Sequence, residues 1–169
     1  VWPGKARGNL LEQLAHAVWD QIVCQADAVV DLHCCRLCDY YFAAARDGHT
    51  ASVALAQAWG APLVDLQDEA SYAPGMLFLE APRLLDKPAI LIEMSPGGDV
   101  VPEMLEHNVR GVWNVLKHLK MLPGRPRRPA RQVLVRRRDP TTVFTAKREG
   151  YLTTYRQVGD LVAKGELLC

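Results

Sequence analysis

Helical segments alternate with short, unbroken apolar runs over the first 122 residues, and this alternation constrains the fold more than any other feature. Apolar residues recur at three- and four-residue steps in two long segments, as on one face of a helix. The apolar runs between the helices are too short to be helices and are typical of buried strands. The predicted elements are helices over 9–24, 52–59 and 102–121 and strands over 28–33, 63–66 and 88–94. Strands joined by helical crossovers form a parallel sheet, so we expect an α/β fold: a mostly parallel sheet flanked by helices.

The two long helices have recognisable starts and apolar stripes. Asn9 is placed to cap the first helix, and Pro102 suits the first turn of the last one. The apolar face of the first helix comprises Leu11, Leu14, Ala15, Val18, Ile22 and Val23. The stripe of the last helix, which we expect to be buried, comprises Leu105, Val109, Val112, Trp113, Leu116 and Leu119.

The composition changes after residue 122. Residues 123–129 include three prolines, one glycine and three arginines, which is typical of a linker, and we assign the linker to 123–132. Beyond it, short apolar runs separated by turns predict the start of a small β domain over 133–169, too short to be stable alone. The chain lacks an initiator methionine, and we expect it to be a piece of a longer protein. The predicted organisation is therefore an α/β domain over 1–122 without its N-terminal part, a linker, and a partial β domain.

Composition excludes several classes of protein. Twenty basic against nineteen acidic residues give a net charge of +1, so the chain is not a globally basic nucleic-acid binder. No apolar run approaches the ~18 residues of a membrane-spanning helix, and a signal peptide is absent. Five cysteines, three of them clustered, do not resemble a secreted disulfide framework, so we expect a reducing, cytoplasmic compartment.

Two further groups of residues leave their roles open. Cys34, Cys35 and Cys38 are close together, but no second pair of Cys or His residues follows at the spacing of a zinc finger. We therefore favour small apolar packing residues as their role, over redox-active or metal-binding cysteines. A run of seven arginines could hold phosphates, but it lacks interleaved aromatic residues, so a solvated, salt-bridged surface is favoured. The run comprises Arg125, Arg127, Arg128, Arg131, Arg136, Arg137 and Arg138.

Two titratable residues lie at the carboxyl ends of predicted strands, where ligands bind in an open parallel sheet. His33 ends the first strand, and an imidazole is a good zinc ligand; Asp31, on the same side of the strand, could orient it. Glu93 follows three apolar residues, so burial would raise its pKa toward the range of a general base. A metal-bound water beside such a carboxylate can hydrolyse an amide. On spacing alone, however, a hydrogen-bonded core histidine is the favoured interpretation of His33, and a carboxylate at a strand end such as Glu93 often caps a helix or pairs with an arginine.

The ordered set of motifs resembles the succinylglutamate desuccinylase/aspartoacylase family of the zinc-carboxypeptidase-like clan. The motifs are Trp2-Pro3-Gly4, Asp31-Leu32-His33, the stretch Ile92–Gly98, Arg110-Gly111-Val112-Trp113-Asn114-Val115-Leu116 and the turn Gly159–Gly165. Ser95 stands where the family commonly has glycine. Each motif alone is common, and it is their order along nearly the whole chain that is specific.

This resemblance implies a zinc-dependent hydrolase that cleaves the amide bond of an N-acyl amino acid or related N-acyl amine. His33 would be a zinc ligand, Glu93 the general base, and Arg83 a substrate-binding residue. The alternative for Arg83 is an ion pair with Glu80 or Asp86. The family's other ligands come from an upstream His-x-x-Glu motif, which this chain lacks. We therefore expect this chain alone to be inactive, since catalytic zinc needs three protein ligands.

Other functions remain open at this stage. A noncatalytic relative with a binding or regulatory role would keep the fold without the metal, and a zinc carboxypeptidase is a near neighbour in chemistry. The expected partner is a small-molecule N-acyl substrate; neither a membrane nor a nucleic acid is favoured, and homo-oligomerisation is left open.

Overall fold

The computed structural model describes residues 2–35, 40–68, 70, 74–96, 100–136, 145–157 and 159–169. Within these residues the chain forms five β-strands and four α-helices, and α1 continues into a π-helical turn over Trp19–Val23. In chain order the elements are α1 Leu10–Val18, β1 Val29–Cys35, β2 Phe42–Arg46, α2 Thr50–Trp59, β3 Leu63–Gln67, α3 Leu77–Leu85, β4 Ala89–Pro96, α4 Pro102–His118 and β5 Val133–Arg136.

The five strands form one mixed sheet in the order β1-β4-β2-β3-β5. The pairs β1/β4, β2/β3 and β3/β5 are parallel, whereas β2 and β4 are antiparallel. The expected α/β fold with a mostly parallel sheet is confirmed. The antiparallel pair has one consequence that the sequence did not predict: the ends of β1 and β4 meet the starts of β2, β3 and β5 at the same edge of the sheet.

One row of residues in register crosses the whole sheet near this edge. In strand order the row consists of His33, Glu93, Phe42, Leu63 and Val133. Residues paired across neighbouring strands point to the same face of a sheet. The five residues therefore lie along one face of the sheet, with the polar pair His33 and Glu93 at one end and apolar residues at the other. We call these five residues the transverse row.

Helices cover both faces of the sheet. On one face α2 and α4 pack against residues such as Ala43 and Ile92; on the other, α3 and the π-helical turn pack against residues such as Ala44 and Leu91. A Cβ added at Gly111 of α4 would lie 2.2 Å from the ring of Trp59 in α2. This glycine therefore permits the close approach of the two helices.

Local signals explain where two of the helices begin and end. The Asn9 side chain accepts a hydrogen bond from the Glu12 backbone N–H, and the Glu12 carboxylate accepts one from the Asn9 N–H, which completes a capping box. Helix α2 ends at Gly60 in the left-handed conformation, with φ of 93°. The cap at Asn9 and the stop at Gly60 are as predicted.

The apolar stripes of the long helices differ from the prediction. Leu105, Val109, Val112 and Trp113 are exposed, whereas Gly111, Asn114 and Val115 of α4 are buried. Leu11, Leu14 and Ile22 are exposed in the same way, and only Trp19 and Val23 of the first helical segment are buried. Periodicity detects a helix with an apolar face, but it does not identify the surface that this face covers.

The region after residue 122 also differs from the prediction in part. Strand β5, expected to open a separate domain, pairs with β3 and completes the sheet. The predicted linker is held to this sheet and its helices: the Asn114 side chain hydrogen-bonds both backbone groups of Arg127, and Gln132 donates to the Ala61 carbonyl. The described residues of 145–169 contain turns but no strand. For the residues after β5, a second domain stays a prediction.

Two elements were not predicted. Strand β2 contains three consecutive alanines, which have no strand preference, yet all three are fully buried in the middle of the sheet. Helix α3 contains Pro82, which argues against a helix in the sequence.

Candidate active site at the sheet edge

The structure brings Asp31, His33 and Glu93 together. His33 and Glu93 are register partners on the adjacent parallel strands β1 and β4. Asp31 lies two residues before His33 on the same face, and its Oδ1 is 3.2 Å from His33 Nε2. The sequence indicated that Asp31 could orient His33, and the two side chains are in contact. The contact holds the imidazole in one orientation. The ring nitrogen that does not contact Asp31 is Nδ1.

Glu93 is largely removed from water, being only 8% exposed. Its Oε2 is buried and has no hydrogen-bond partner among the described residues. Burial raises the pKa of Glu93 above that of an ordinary carboxyl group; His33 lowers this pKa and Asp31 raises it, both by smaller amounts. A buried carboxylate without a partner is poised to accept a proton from a small molecule that reaches it.

His33 fits the role of one zinc ligand, but the described residues do not complete a zinc site. Catalytic zinc is held by three protein ligands, and no group of three His, Cys, Asp or Glu residues in the described ranges is arranged to bind a metal ion. Any further ligands would have to come from outside the described part of the chain.

Arg83 is placed differently from the other predicted site residues. Its Nε donates a hydrogen bond of 2.9 Å to Glu80 in the same helix, which is the ion pair given as the alternative to substrate binding. Helix α3 ends at Leu85, just before β4 begins at Ala89. Glu93 lies four residues further along β4, so the Cα atoms of Ala89 and Glu93 are roughly 13 Å apart. This placement favours the ion pair; a substrate-binding role for Arg83 stays a prediction.

The cysteines and arginines are only partly described. Cys34 is an exposed free thiol next to His33. Arg136 donates to Asp47 at 3.2 Å, in line with the expected salt-bridged surface. Cys38, Arg137 and Arg138 lie outside the described residues, so their predicted roles remain predictions.

A serine-histidine-aspartate arrangement elsewhere is structural. Ser52 Oγ is 2.8 Å from His49 Nδ1, and His49 Nε2 is 3.1 Å from Asp86 Oδ1. However, Ser52 is fully buried, and its Oγ accepts a hydrogen bond from the Ala89 backbone. His49 also accepts from the Ser52 backbone N–H and so caps α2. A serine that no substrate can reach is not a nucleophile.

Sequence reasoning missed Phe42, the residue opposite Glu93 on the antiparallel neighbour β2. Its ring packs with the core beneath α3 and separates Glu93 from Leu63 within the transverse row. The only signal was an aromatic residue before an alanine run, which does not specify a strand.

Among the described residues, no helix has the length and apolar character needed to cross a membrane.

Known proteins resemble this chain in sequence and in fold. No family profile matches the chain. A similar curated protein is the N-alpha-acetyl-L-2,4-diaminobutyric acid deacetylase of Halomonas elongata, 29% identical over 182 residues, an alignment that covers 99% of this chain and 51% of the relative. The chain thus spans about half the length of this relative.

Solved structures share the fold. The apo structure of the ectoine utilization protein EutE (DoeB) from Ruegeria pomeroyi matches with a TM-score of 0.68 and 28% identity, covering 82% of this chain and 45% of that one. A succinylglutamate desuccinylase/aspartoacylase from Rhodobacter sphaeroides matches with a TM-score of 0.73 and 24% identity, covering 99% of this chain and 52% of that one. The resemblance predicted from the motifs is therefore confirmed in the fold, which this chain shares with a solved protein named for this family and with EutE.

Proposed function

We propose that this chain, which has the fold of the succinylglutamate desuccinylase/aspartoacylase family, carries part of the active site of a hydrolase that cleaves the amide bond of N-acyl amino acids. The observation that carries the proposal is the pairing of His33 with Glu93 across β1 and β4, with the Glu93 carboxylate buried and one oxygen unpaired. The deacetylase name of the Halomonas relative supports the same reaction class.

The roles of the three residues follow from their environments. Glu93 takes a proton from the attacking water at its unpaired oxygen and then gives it to the leaving nitrogen as the C–N bond breaks, which yields a carboxylic acid and an amine. Its raised pKa suits both transfers. Asp31 fixes the orientation of His33 through the 3.2 Å contact.

Zinc dependence is part of the proposal for the whole protein, with His33 as one ligand. The remaining ligands would come from residues outside the described part, in line with the upstream His-x-x-Glu motif that the resemblance implies. We therefore expect the 169-residue chain alone to give no turnover at saturating zinc.

The test compares Glu93→Gln and His33→Ala in the whole protein, with N-acetyl-diaminobutyric acid as the first substrate. Glu93→Gln should lower kcat by about 10²–10⁴-fold because the proton acceptor is lost, while zinc content stays unchanged. His33→Ala should lower the zinc content of the purified protein. Glu106→Gln, an exposed carboxylate on α4, is the matched control and should change neither.

Retention of full activity by Glu93→Gln would overturn the assigned base. Binding of N-acyl amino acids without any turnover in the whole protein would favour the noncatalytic binding relative instead.

A further inference from the structure

The outer side of α4 carries a stripe of apolar side chains that is open to water. Leu105 is 55%, Val109 50% and Val112 44% exposed, and Trp113 beside them is 52% exposed. Steps of three and four residues place the first three on one line along the helix. Leu116, the next residue on this line, is also partly exposed. Apolar residues at this spacing are typical of a helix that packs against a second helix.

A line of mostly charged side chains runs beside this stripe. It consists of Glu106, Arg110, Trp113 and Lys117, again at steps of three and four residues, and all four line a groove of about 520 Å³. The three charged residues form no hydrogen bond or ion pair with any other residue that the structure describes. We call the stripe and this line together the α4 face; its residues are Leu105, Glu106, Val109, Arg110, Val112, Trp113, Leu116 and Lys117.

The α4 face is complementary to itself when two copies meet with their helices antiparallel. The midpoint between Glu106 and Lys117 lies between residues 111 and 112, and the midpoint between Arg110 and Trp113 lies at the same place. A two-fold axis there sets each Glu106 at the height of Lys117 of the second copy, so that the two form an ion pair. It also sets each Arg110 at the height of Trp113 of the second copy, where a guanidinium can contact the face of an indole ring.

The same axis matches the apolar stripes. Each Leu105 then lies at a height between Leu116 and Leu119 of the second copy, as a side chain does in the packing of two helices. In a parallel pair, by contrast, Glu106 would oppose Glu106 and Lys117 would oppose Lys117. Like charges would therefore face each other, so the charges favour the antiparallel direction.

The area of the α4 face determines how strongly two copies associate. The exposed parts of its side chains amount to roughly 500 Å² per copy, or on the order of 1,000 Å² for the pair, which is the lower end of specific interfaces. We therefore expect a dissociation constant of roughly 10–100 μM. At the sub-micromolar concentrations of kinetic and unfolding measurements the chain is then monomeric, and Glu106 and Val112 behave there as exposed residues.

We propose that the α4 face is a dimer interface, occupied by α4 of a second copy of this chain related by a two-fold axis. Two ion pairs between Glu106 and Lys117 and two contacts between Arg110 and Trp113 fix the antiparallel direction, and the apolar stripes supply the buried surface. The homo-oligomer that the sequence left open is thereby given a surface. This inference rests only on the outer side of α4 and does not depend on the proposed reaction.

The experiment measures the dissociation constant of the dimer of the 169-residue chain by sedimentation equilibrium, at roughly 5–500 μM protein. Glu106→Lys and Lys117→Glu should each weaken the dimer about ten-fold or more, because each places two pairs of like charges across the interface. The combined variant exchanges the two charges and should restore the dissociation constant to within about three-fold of the wild-type value. An equimolar mixture of the two single variants should also dimerise, since each reversed charge then faces an opposite charge.

The matched controls make the same charge changes outside α4. Glu149→Lys and Lys164→Glu alter exposed residues after β5 and should leave the dissociation constant unchanged.

A chain that stays monomeric at all these concentrations would overturn the proposal. So would single charge reversals that act no more strongly than the controls, or a combined variant as weak as the single ones. A whole protein that is monomeric while the 169-residue chain dimerises would also overturn it, because the rest of that protein would then cover the α4 face. Association through the exposed leucines of α1 does not involve residues 106 and 117, so the charge exchange distinguishes the two surfaces.

Discussion

Glu93 is held where its negative charge is costly. Burial raises its pKa in the folded chain, so the folded state binds the Glu93 proton more tightly than the unfolded state does. The stability that this group contributes is fully present below the unfolded pKa, near 4.5, and is lost as the pH rises through the higher folded value. A charged Glu93 therefore destabilises the fold at neutral pH, which is typical of a residue retained for chemistry.

Replacing the carboxyl group should consequently stabilise the chain. We expect Glu93→Gln to raise the free energy of unfolding at pH 7 by roughly 1–3 kcal/mol, because burying a neutral amide costs less than burying a charged carboxylate. The gain should shrink at pH 4, where wild-type Glu93 is protonated. Urea unfolding at both pH values measures this, with Glu106→Gln as the exposed control; an equal gain at both pH values would contradict the assigned cause.

Single residues differed in how far the sequence could place them. Asp31, His33 and Glu93 were predicted to lie together because each ends or borders an apolar run, and the carboxyl ends of parallel strands share an edge. Arg83 was assigned only through the family resemblance, and a matching place in the chain does not specify which way a helical side chain points. Arg131 was considered only as one of a run of arginines, and no local signal indicates that it lines a surface pocket together with Leu63 and Val133.

At the scale of elements, the contact between α2 and α4 depends on one missing side chain. We expect Gly111→Ala to lower the free energy of unfolding by about 1–3 kcal/mol, because the added Cβ would overlap the Trp59 ring at 2.2 Å. Alanine otherwise favours a helix over glycine by about 1 kcal/mol, so a net loss would reflect the overlap. Val112→Ala, at the neighbouring exposed position, should change stability by less than about 0.5 kcal/mol. Thermal and urea unfolding of the two variants measure the change in the free energy of unfolding. If Gly111→Ala is more stable than the wild type, the close contact between α2 and α4 does not require this glycine.

Elements were predictable where local preference and tertiary role agree. The strands β1, β3 and β4 and the helices α1, α2 and α4 were recognised within a few residues. Strand β2 was missed because alanine has no strand preference. Its three alanines are fully buried because helices pack against both faces of the sheet at this point. The stripe of α4 was misassigned in part because Gly111, Asn114 and Val115 are its buried residues, whereas four apolar residues of the expected stripe are exposed: Leu105, Val109, Val112 and Trp113.

At the scale of the whole molecule, apolar side chains remain on the surface of α1. Leu11 is 75% and Leu14 60% exposed, and clustered apolar side chains in water promote association. We expect Leu11→Lys combined with Leu14→Lys to reduce self-association of the chain in static light scattering. The control, Gln21→Lys combined with Gln25→Lys, adds the same charge at exposed polar positions and should reduce it less; an equal effect would show that net charge alone is responsible.

The sheet order shows why the complete site could not be read from the sequence. The alternation of helices and strands predicts parallel pairs, but not that β2 runs antiparallel to β4. This single reversal brings Phe42, Leu63 and Val133 to the edge that holds Glu93. Strand direction is decided by which pairings bury the two faces best, a property of the whole sheet.

The same strand order determines when His33 and Glu93 can meet during synthesis of the chain. β4 lies between β1 and β2, although β1, β2 and β3 all precede it in the chain. Until residue 89 and those after it have emerged, β1 lacks its described partner, and β2 and β3 can pair only with each other. Contacts between residues so distant in the chain form slowly. His33 and Glu93 therefore meet in the same event in which β4 joins β1 to β2 and β3. Before that moment, the nascent chain does not hold these two residues side by side.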